Sequence, residues 1–317
     1  MSDSKQKRER LGFSTGALER GDFRNAIEWL QHNNVQSMEL SALRIEELEP
    51  LIDSLNSLPI AQFSYVSFHA PSSFPKEAER HVVELLRIVA ARGWNLIVHP
   101  DVIRTYSLWK PFGSHLLIEN MDRRKAVGRT VDELDHIFKF LPEAKLCLDI
   151  AHARQMDTTL TLLSQIISKF SARIAEIHIS ELDSWCQHQP MSAGAVQDYQ
   201  GIAKHISSSL PVIIESMLEG DRSGMRMAEF RLAQKAMRFR CSDDEMAESA
   251  RKAARVQAIH QTTGFDKKRK PLVLHRVKFK GQWKKALKNA VVKRHTGACT
   301  AGKKKLEPKL NVLATAH

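Results

Sequence analysis

The sequence predicts an α/β protein, a parallel (β/α)8 barrel of the TIM type, and two observations carry that reading. Short apolar runs recur from residue 11 to about residue 240, each followed by a helical pattern or a short connection. At the ends of successive runs stand acidic and histidine residues: Glu39, His69, His99, Glu119, Asp149 with His152, His178 and Glu215, separated by 30, 30, 20, 30, 29 and 37 residues. A βα unit takes roughly 30 residues, so this beat sets one polar residue at the same end of each strand in turn. In a closed parallel barrel those ends converge on one mouth, where the catalytic groups of such barrels sit.

The elements follow in order. Leu11 to Ser14 forms the first strand, and Asp22 caps a helix whose apolar stripe is Phe23, Ala26, Ile27 and Leu30. Val35 to Leu40 is the second strand and Ile45 to Leu55 the second helix, with Pro50 standing against its middle because proline removes a helical donor. Phe63 to Phe68 leads to His69, and the next helix carries Ala78, Val82, Leu85, Leu86 and Val89 between Pro75 and Gly93. Asn95 to Val98 is the fourth strand. Only Asp101 to Ser114 separates it from the fifth, Leu116 to Ile118, so the fourth helix is small or absent.

Thr130, with Glu133 three residues later, forms a capping box ahead of Leu134, Ile137 and Phe138. Lys145 to Leu148, Ile174 to Ile177 and Pro211 to Ile214 are strands six to eight, with helices at Leu160 to Phe170 and Tyr199 to Ile206. Met227 to Phe239 closes the barrel, and Asp243 to Gln261 is a further helix outside it. The chain therefore divides into a polar N-terminal tail (1–10), a barrel (11–240) and a helical, then partly disordered, basic C-terminal extension (241–317).

Charge is unevenly spread over the 317 residues. Residues 221–317 hold 25 lysines and arginines against 8 acids, whereas the preceding 220 hold 23 against 28. A basic appendage of this kind attracts phosphate backbones, which makes nucleic acid a candidate partner of the tail; a solvated tail is the plain alternative. The four cysteines, Cys147, Cys186, Cys241 and Cys299, are scattered with no C-x-x-C pair, so neither a disulfide framework nor a zinc knuckle is indicated, which fits a cytoplasmic protein. No stretch approaches the ~20 apolar residues that span a bilayer, and no apolar segment follows the charged N-terminus, so no membrane partner is expected. Oligomeric state is not readable.

Glu119, Asp149, His178 and Glu215 come from four successive strands and form a mixed oxygen and nitrogen donor set. Buried carboxylates without partners are costly, so acids at the ends of apolar strands call for a cation. Such donors suit Mn²⁺, Zn²⁺, Co²⁺ or Fe²⁺. No nucleotide cofactor is expected. His69 and His99 are candidates for further metal ligands or for contacts to substrate hydroxyls. Trp109 and Trp185 are candidates to stack on a sugar face or to pack a lid, and Arg123, Arg124 and Lys125 to grip a phosphate or simply to face solvent.

The ordered motifs S-F-H-A-P (Ser67 to Pro71), V-H-P (Val98 to Pro100), I-E-N (Ile118 to Asn120), C-L-D-I-A-H-A (Cys147 to Ala153), I-H-I-S-E (Ile177 to Glu181) and V-I-I-E-S (Val212 to Ser216) resemble the xylose isomerase-like barrel superfamily. That superfamily holds sugar and sugar-phosphate isomerases and epimerases, and endonuclease IV-type (AP endonuclease family 2) apurinic-site nucleases. The epimerase branch implies one metal held by Glu119, Asp149, His178 and Glu215. It also implies Glu119 and Glu215 as acid and base on opposite faces of a small carbohydrate, with His152 on a substrate oxygen.

The nuclease branch implies two further ions, one completed by His69 and His99, the other by His152 and an Asp-x-His pair. Here that pair reads Cys186-Gln187-His188, so a cysteine stands where the branch has an aspartate. The expectation is a metal-dependent sugar isomerase or epimerase. The alternatives are a metal-dependent phosphodiesterase acting on abasic DNA and a barrel of the same superfamily without turnover.

Overall fold

The computed structural model describes residues 10–218 and 223–237. The N-terminal tail up to residue 9, the Asp243 to Gln261 helix, Cys241, Cys299 and the basic extension lie outside the described residues. Eight parallel strands close into a barrel: β1 (Leu11–Ser14), β2 (Ser37–Ser41), β3 (Tyr65–His69), β4 (Asn95–Val98), β5 (Leu116–Glu119), β6 (Lys145–Asp149), β7 (Ile174–Ile179) and, after a small hairpin of β8 (Glu181–Leu182) and β9 (His188–Gln189), β10 (Val212–Ile214). Each barrel strand pairs with its neighbours in chain order, and β1 pairs with β10 to complete the ring.

The strands bury both faces, but differently. In β2, Met38 and Leu40 join the apolar layer between sheet and helices, while Ser37, Glu39 and Ser41, one residue out of phase, project into the barrel. The same phase sets Val66 and Phe68 outward against Ser67 and His69, and Leu146 and Leu148 outward against Cys147 and Asp149. Inside the ring, Ile97, Leu117 and Cys147 form only a small separate apolar cluster. Such interiors are usually filled by layers of Val, Ile and Leu. This barrel is apolar around its outside and strongly polar within.

Helices cover the ring where the sequence expects them, with informative differences. Asp22 caps Phe23–His32 by accepting from Asn25 N, and Thr130 Oγ1 accepts from Glu133 N at the start of Val131–Phe140. Pro50 sits inside Ile45–Ser54, where burial of Leu48, Leu51 and Ile52 outweighs the missing donor. The penultimate barrel helix spans Ala193–Ala203, starting earlier than the apolar pattern indicates because Ser192 caps it through Ala195 N. The closing helix is Ser223–Ala236.

The fourth unit has no long helix. Two 3-10 turns (Pro100–Val102, Lys110–His115) flank the single helical turn Tyr106–Trp109. The buried Glu79 organises this segment, since its Oε1 accepts from Arg104 N (2.7 Å), Thr105 N (2.9 Å) and the Trp109 indole (2.9 Å). Trp109 is thus a core residue, while Trp185, 78% exposed, stands on the hairpin loop. Glu79→Ala leaves three donors without an acceptor and is expected to cost about 2 kcal/mol of stability, read as a fall in the denaturant midpoint; an unchanged midpoint would remove Glu79 from this role.

Candidate metal centre

At the end of β5, Glu119 points into the mouth, and Asn120 ties it to the next strand. Asn120 Nδ2 donates to Asp149 O (2.8 Å) and Asp149 N donates to Asn120 Oδ1 (2.9 Å), so the I-E-N motif fixes two candidate ligands against each other. Asp149 then caps a helix that sequence patterning does not reveal, Ile150–Met156. Its Oδ1 accepts from His152 N at 2.6 Å. The cap leaves Oδ2 buried with no hydrogen-bond partner among the described residues.

His178 faces Asp149 across the β6–β7 register. Its Nδ1 lies 3.2 Å from Glu215 Oε2 and 3.4 Å from Glu119 Oε1, again without an aligned hydrogen bond. The donor atoms of Glu119, Asp149, His178 and Glu215 all lie within 4.8 Å of one another, so the four expected ligands converge. Two orphaned buried atoms, Asp149 Oδ2 and His178 Nδ1, belong to that set. A divalent cation satisfies both at once, and in this sense the residues fit one.

Two further groups flank the first. His69 donates from Nδ1 to Ala70 O (2.7 Å), which turns its Nε2 towards Glu119 Oε2 (3.3 Å). His99 Nε2 lies 3.1 Å from the same oxygen, so His69, His99 and Glu119 form a second group. Asp149, His152 and His188 form a third, with His188 positioned by Ser180 Oγ at 2.7 Å from Nδ1. Cys186 is buried in the turn before His188 with φ +57 and belongs to none of these groups.

A fourth group joins Glu39, Glu176 and His178 deeper in the barrel. Sequence reasoning marks Glu39 in the strand-end beat without a role and misses Glu176. The available signal is phase: Glu176 precedes His178 by two residues and so shares its inward face.

Residues 34–240 match the family described as xylose isomerase-like TIM barrel. The chain belongs to this family. No curated protein matches the chain. Among solved structures, protein SMc04130 from Sinorhizobium meliloti 1021 is 14% identical, covers 73% of this chain and 97% of its own, and has a TM-score of 0.50. The apo form of 3-keto-D-glucoside 4-epimerase, YcjR, from E. coli is 12% identical over 72% of this chain and 98% of that one (TM-score 0.45). SacUVDE is 13% identical over 68% and 83% (TM-score 0.40). At such identities the likeness concerns the fold alone.

The family barrel gives these side chains an unusual electrostatic setting. Burial opposes the charge on Glu119, but His99, His178 and His69 outweigh it and hold the carboxyl well below the usual carboxylate range. Glu215 is likewise lowered, burial being overcome by His178 and His188. Asp149 goes the other way: burial, then the Glu119 charge, push it well above its ordinary value. Burial also lowers His69, yet its bond to Glu119 and the charges of Glu39, Glu119 and Glu215 raise it to about 9.

In the metal-free protein His69 is therefore protonated at pH 7, and an ion taking its Nε2 displaces that proton. The affinity of any ion seated at the His69, His99 and Glu119 group is therefore expected to rise about tenfold per pH unit below pH 9 for each proton displaced. Calorimetry in buffers of different ionisation enthalpy measures the protons released; zero release at pH 7 would mean that no ion takes His69 Nε2.

The mouth opens into a cavity of about 570 Å³ lined by His69, His99, Glu119, His152, His188 and Glu215, together with Arg124 and Lys125. Arg124 grips the buried Asp122, and Lys125 Nζ donates to Asp101 Oδ2 (2.9 Å) and Ser72 O (3.2 Å). None of the described helices is long and apolar enough to cross a membrane.

Proposed function

We propose that this chain is a divalent-metal-dependent isomerase or epimerase acting on a small sugar or sugar phosphate. The observation that carries the reading is the convergence of Glu119, Asp149, His178 and Glu215, with two of their buried atoms unpartnered, beneath a cavity of about 570 Å³. Bound there, a Mn²⁺, Zn²⁺, Co²⁺ or Fe²⁺ ion polarises a carbonyl. The residues do the rest. Of Glu119 and Glu215, one carboxylate removes the proton next to the carbonyl, and the other, once protonated, returns a proton to the opposite face. His152, its Nδ1 2.9 Å from Asn120 O, holds a substrate oxygen.

Arg124 and Lys125 support a phosphorylated substrate. Both line the cavity, and the acids beside them fix their positions while leaving N–H groups to spare. The protein is read as cytoplasmic.

A specific observation favours a second reading. His69 with His99, and His152 with His188, offer more donors than one ion needs, which suits a metal-dependent phosphodiesterase acting on abasic DNA, with the basic tail supplying phosphate contacts.

Metal content per purified chain, measured beside solvent-deuterium incorporation into a panel of ketoses and ketose phosphates and cleavage of an abasic-site duplex, separates the two. One ion with deuterium incorporation is expected. Two or three ions with duplex cleavage would replace the first reading by the second, and a chain that binds no ion and turns over neither substrate would overturn both.

A further inference from the structure

The acids on the barrel floor are not used by the proposed reaction. Glu39 and Glu176 are fully buried on β2 and β7, below the mouth. Carboxylates buried there are expensive unless partnered, and the two are not equivalent. Glu176 has a partner on each oxygen: Ser67 Oγ donates to Oε1 (2.9 Å) and Tyr65 OH to Oε2 (2.6 Å). Glu39 accepts only from Ser41 Oγ, at 3.3 Å on Oε1; its Oε2 is buried and has no hydrogen bond among the described residues.

That oxygen lies 3.1 Å from His178 Nε2, which is also buried and unpaired, while Glu176 Oε1 stands further off at 3.5 Å. One proton between Nε2 and the Glu39 carboxylate satisfies both orphans. An imidazole protonated at Nε2 keeps its lone pair on Nδ1, the nitrogen that faces Glu119 and Glu215.

We propose that Glu39 is a positioning residue for the metal centre: its carboxylate accepts the Nε2 proton of His178 and so presents Nδ1 to the cation held with Glu119, Asp149 and Glu215. The role rests on the metal reading above. A carboxylate behind a ligating histidine fixes the ring and raises its basicity, and loss of such a partner typically weakens metal binding about 10- to 100-fold.

The test titrates the full-length chain with Co²⁺, followed by visible absorption, and with Zn²⁺ in competition, beside thermal melting of the metal-free protein. Glu39→Met keeps the volume and removes the acceptor; Glu39→Gln keeps an acceptor and removes the charge. Metal affinity is expected to fall about 10- to 100-fold for Met and by less for Gln, with metal-free melting unchanged or raised because a buried acid is gone. If affinity holds while metal-free melting drops, Glu39 only fills space and the proposal is overturned. If the unsubstituted chain itself takes up neither ion, the metal reading fails first, a result distinct from equal binding by all three proteins, which sinks Glu39 alone.

Discussion

Glu119→Gln is expected to abolish turnover, with a loss of at least about 10³-fold, because one side chain serves two ends. Its Oε2 lies 3.3 Å from His69 Nε2 and 3.1 Å from His99 Nε2, while Oε1 lies 3.4 Å from His178 Nδ1. The amide keeps size and shape but removes the charge that holds those imidazoles in place, and it cannot exchange a proton with substrate. General acid–base catalysis alone is worth about 10²–10⁴-fold, and weakened ion binding adds to it. Metal content measured with kcat tells the contributions apart. A variant that retains both its metal and its rate would show that Glu119 is neither ligand nor base.

Gly12→Ala is expected to be the most damaging substitution for the fold. Gly12 lies opposite Ser37 where β1 meets β2, and a Cβ there would meet Ser37 O at 1.9 Å and Ser37 C at 2.4 Å. Both are backbone atoms inside a closed ring, so no side chain can move aside. Overpacking costs typically 1–3 kcal/mol where neighbours relax; here the strands must part, and a loss of at least about 3 kcal/mol is expected. Urea denaturation measures it. A change within about 0.5 kcal/mol, the usual range for surface substitutions, would mean that the ring is looser than this register implies.

Much of this was legible beforehand, for a physical reason. Strand alternation survives burial on both faces because the outer face must match apolar helices while the inner face carries chemistry; the runs Val35 to Leu40 and Phe63 to Phe68 read as strands for this reason, and the structure shows their polar set directed inward. The strand-end beat then located Glu119, Asp149, His178 and Glu215, and the structure brings their donor atoms within 4.8 Å. The family match over residues 34–240 agrees with the resemblance that the motifs carry.

What was not legible depends on contacts remote in sequence. Glu79 looks like any exposed glutamate of a helix; only the missing fourth helix makes it the acceptor for Arg104, Thr105 and Trp109. The β8–β9 hairpin has two residues per strand, too few for periodicity to register. The helix Ile150–Met156 was hidden because Asp149 ends a strand and caps that helix in the same residue. Glu39 and Glu176 lie mid-strand in β2 and β7, and a search of strand ends does not pick out Glu176.

The sharing of Glu119 between two groups has a thermodynamic consequence. Under the second reading, with more than one ion, cations entering on the two sides of one carboxylate would not load independently: whatever factor the first changes in the affinity for the second, the second must change in the affinity for the first. A simple hyperbola is the one-ion outcome; departure from it would mark a second cation, and the curvature would measure how strongly that single side chain joins the two halves of the mouth.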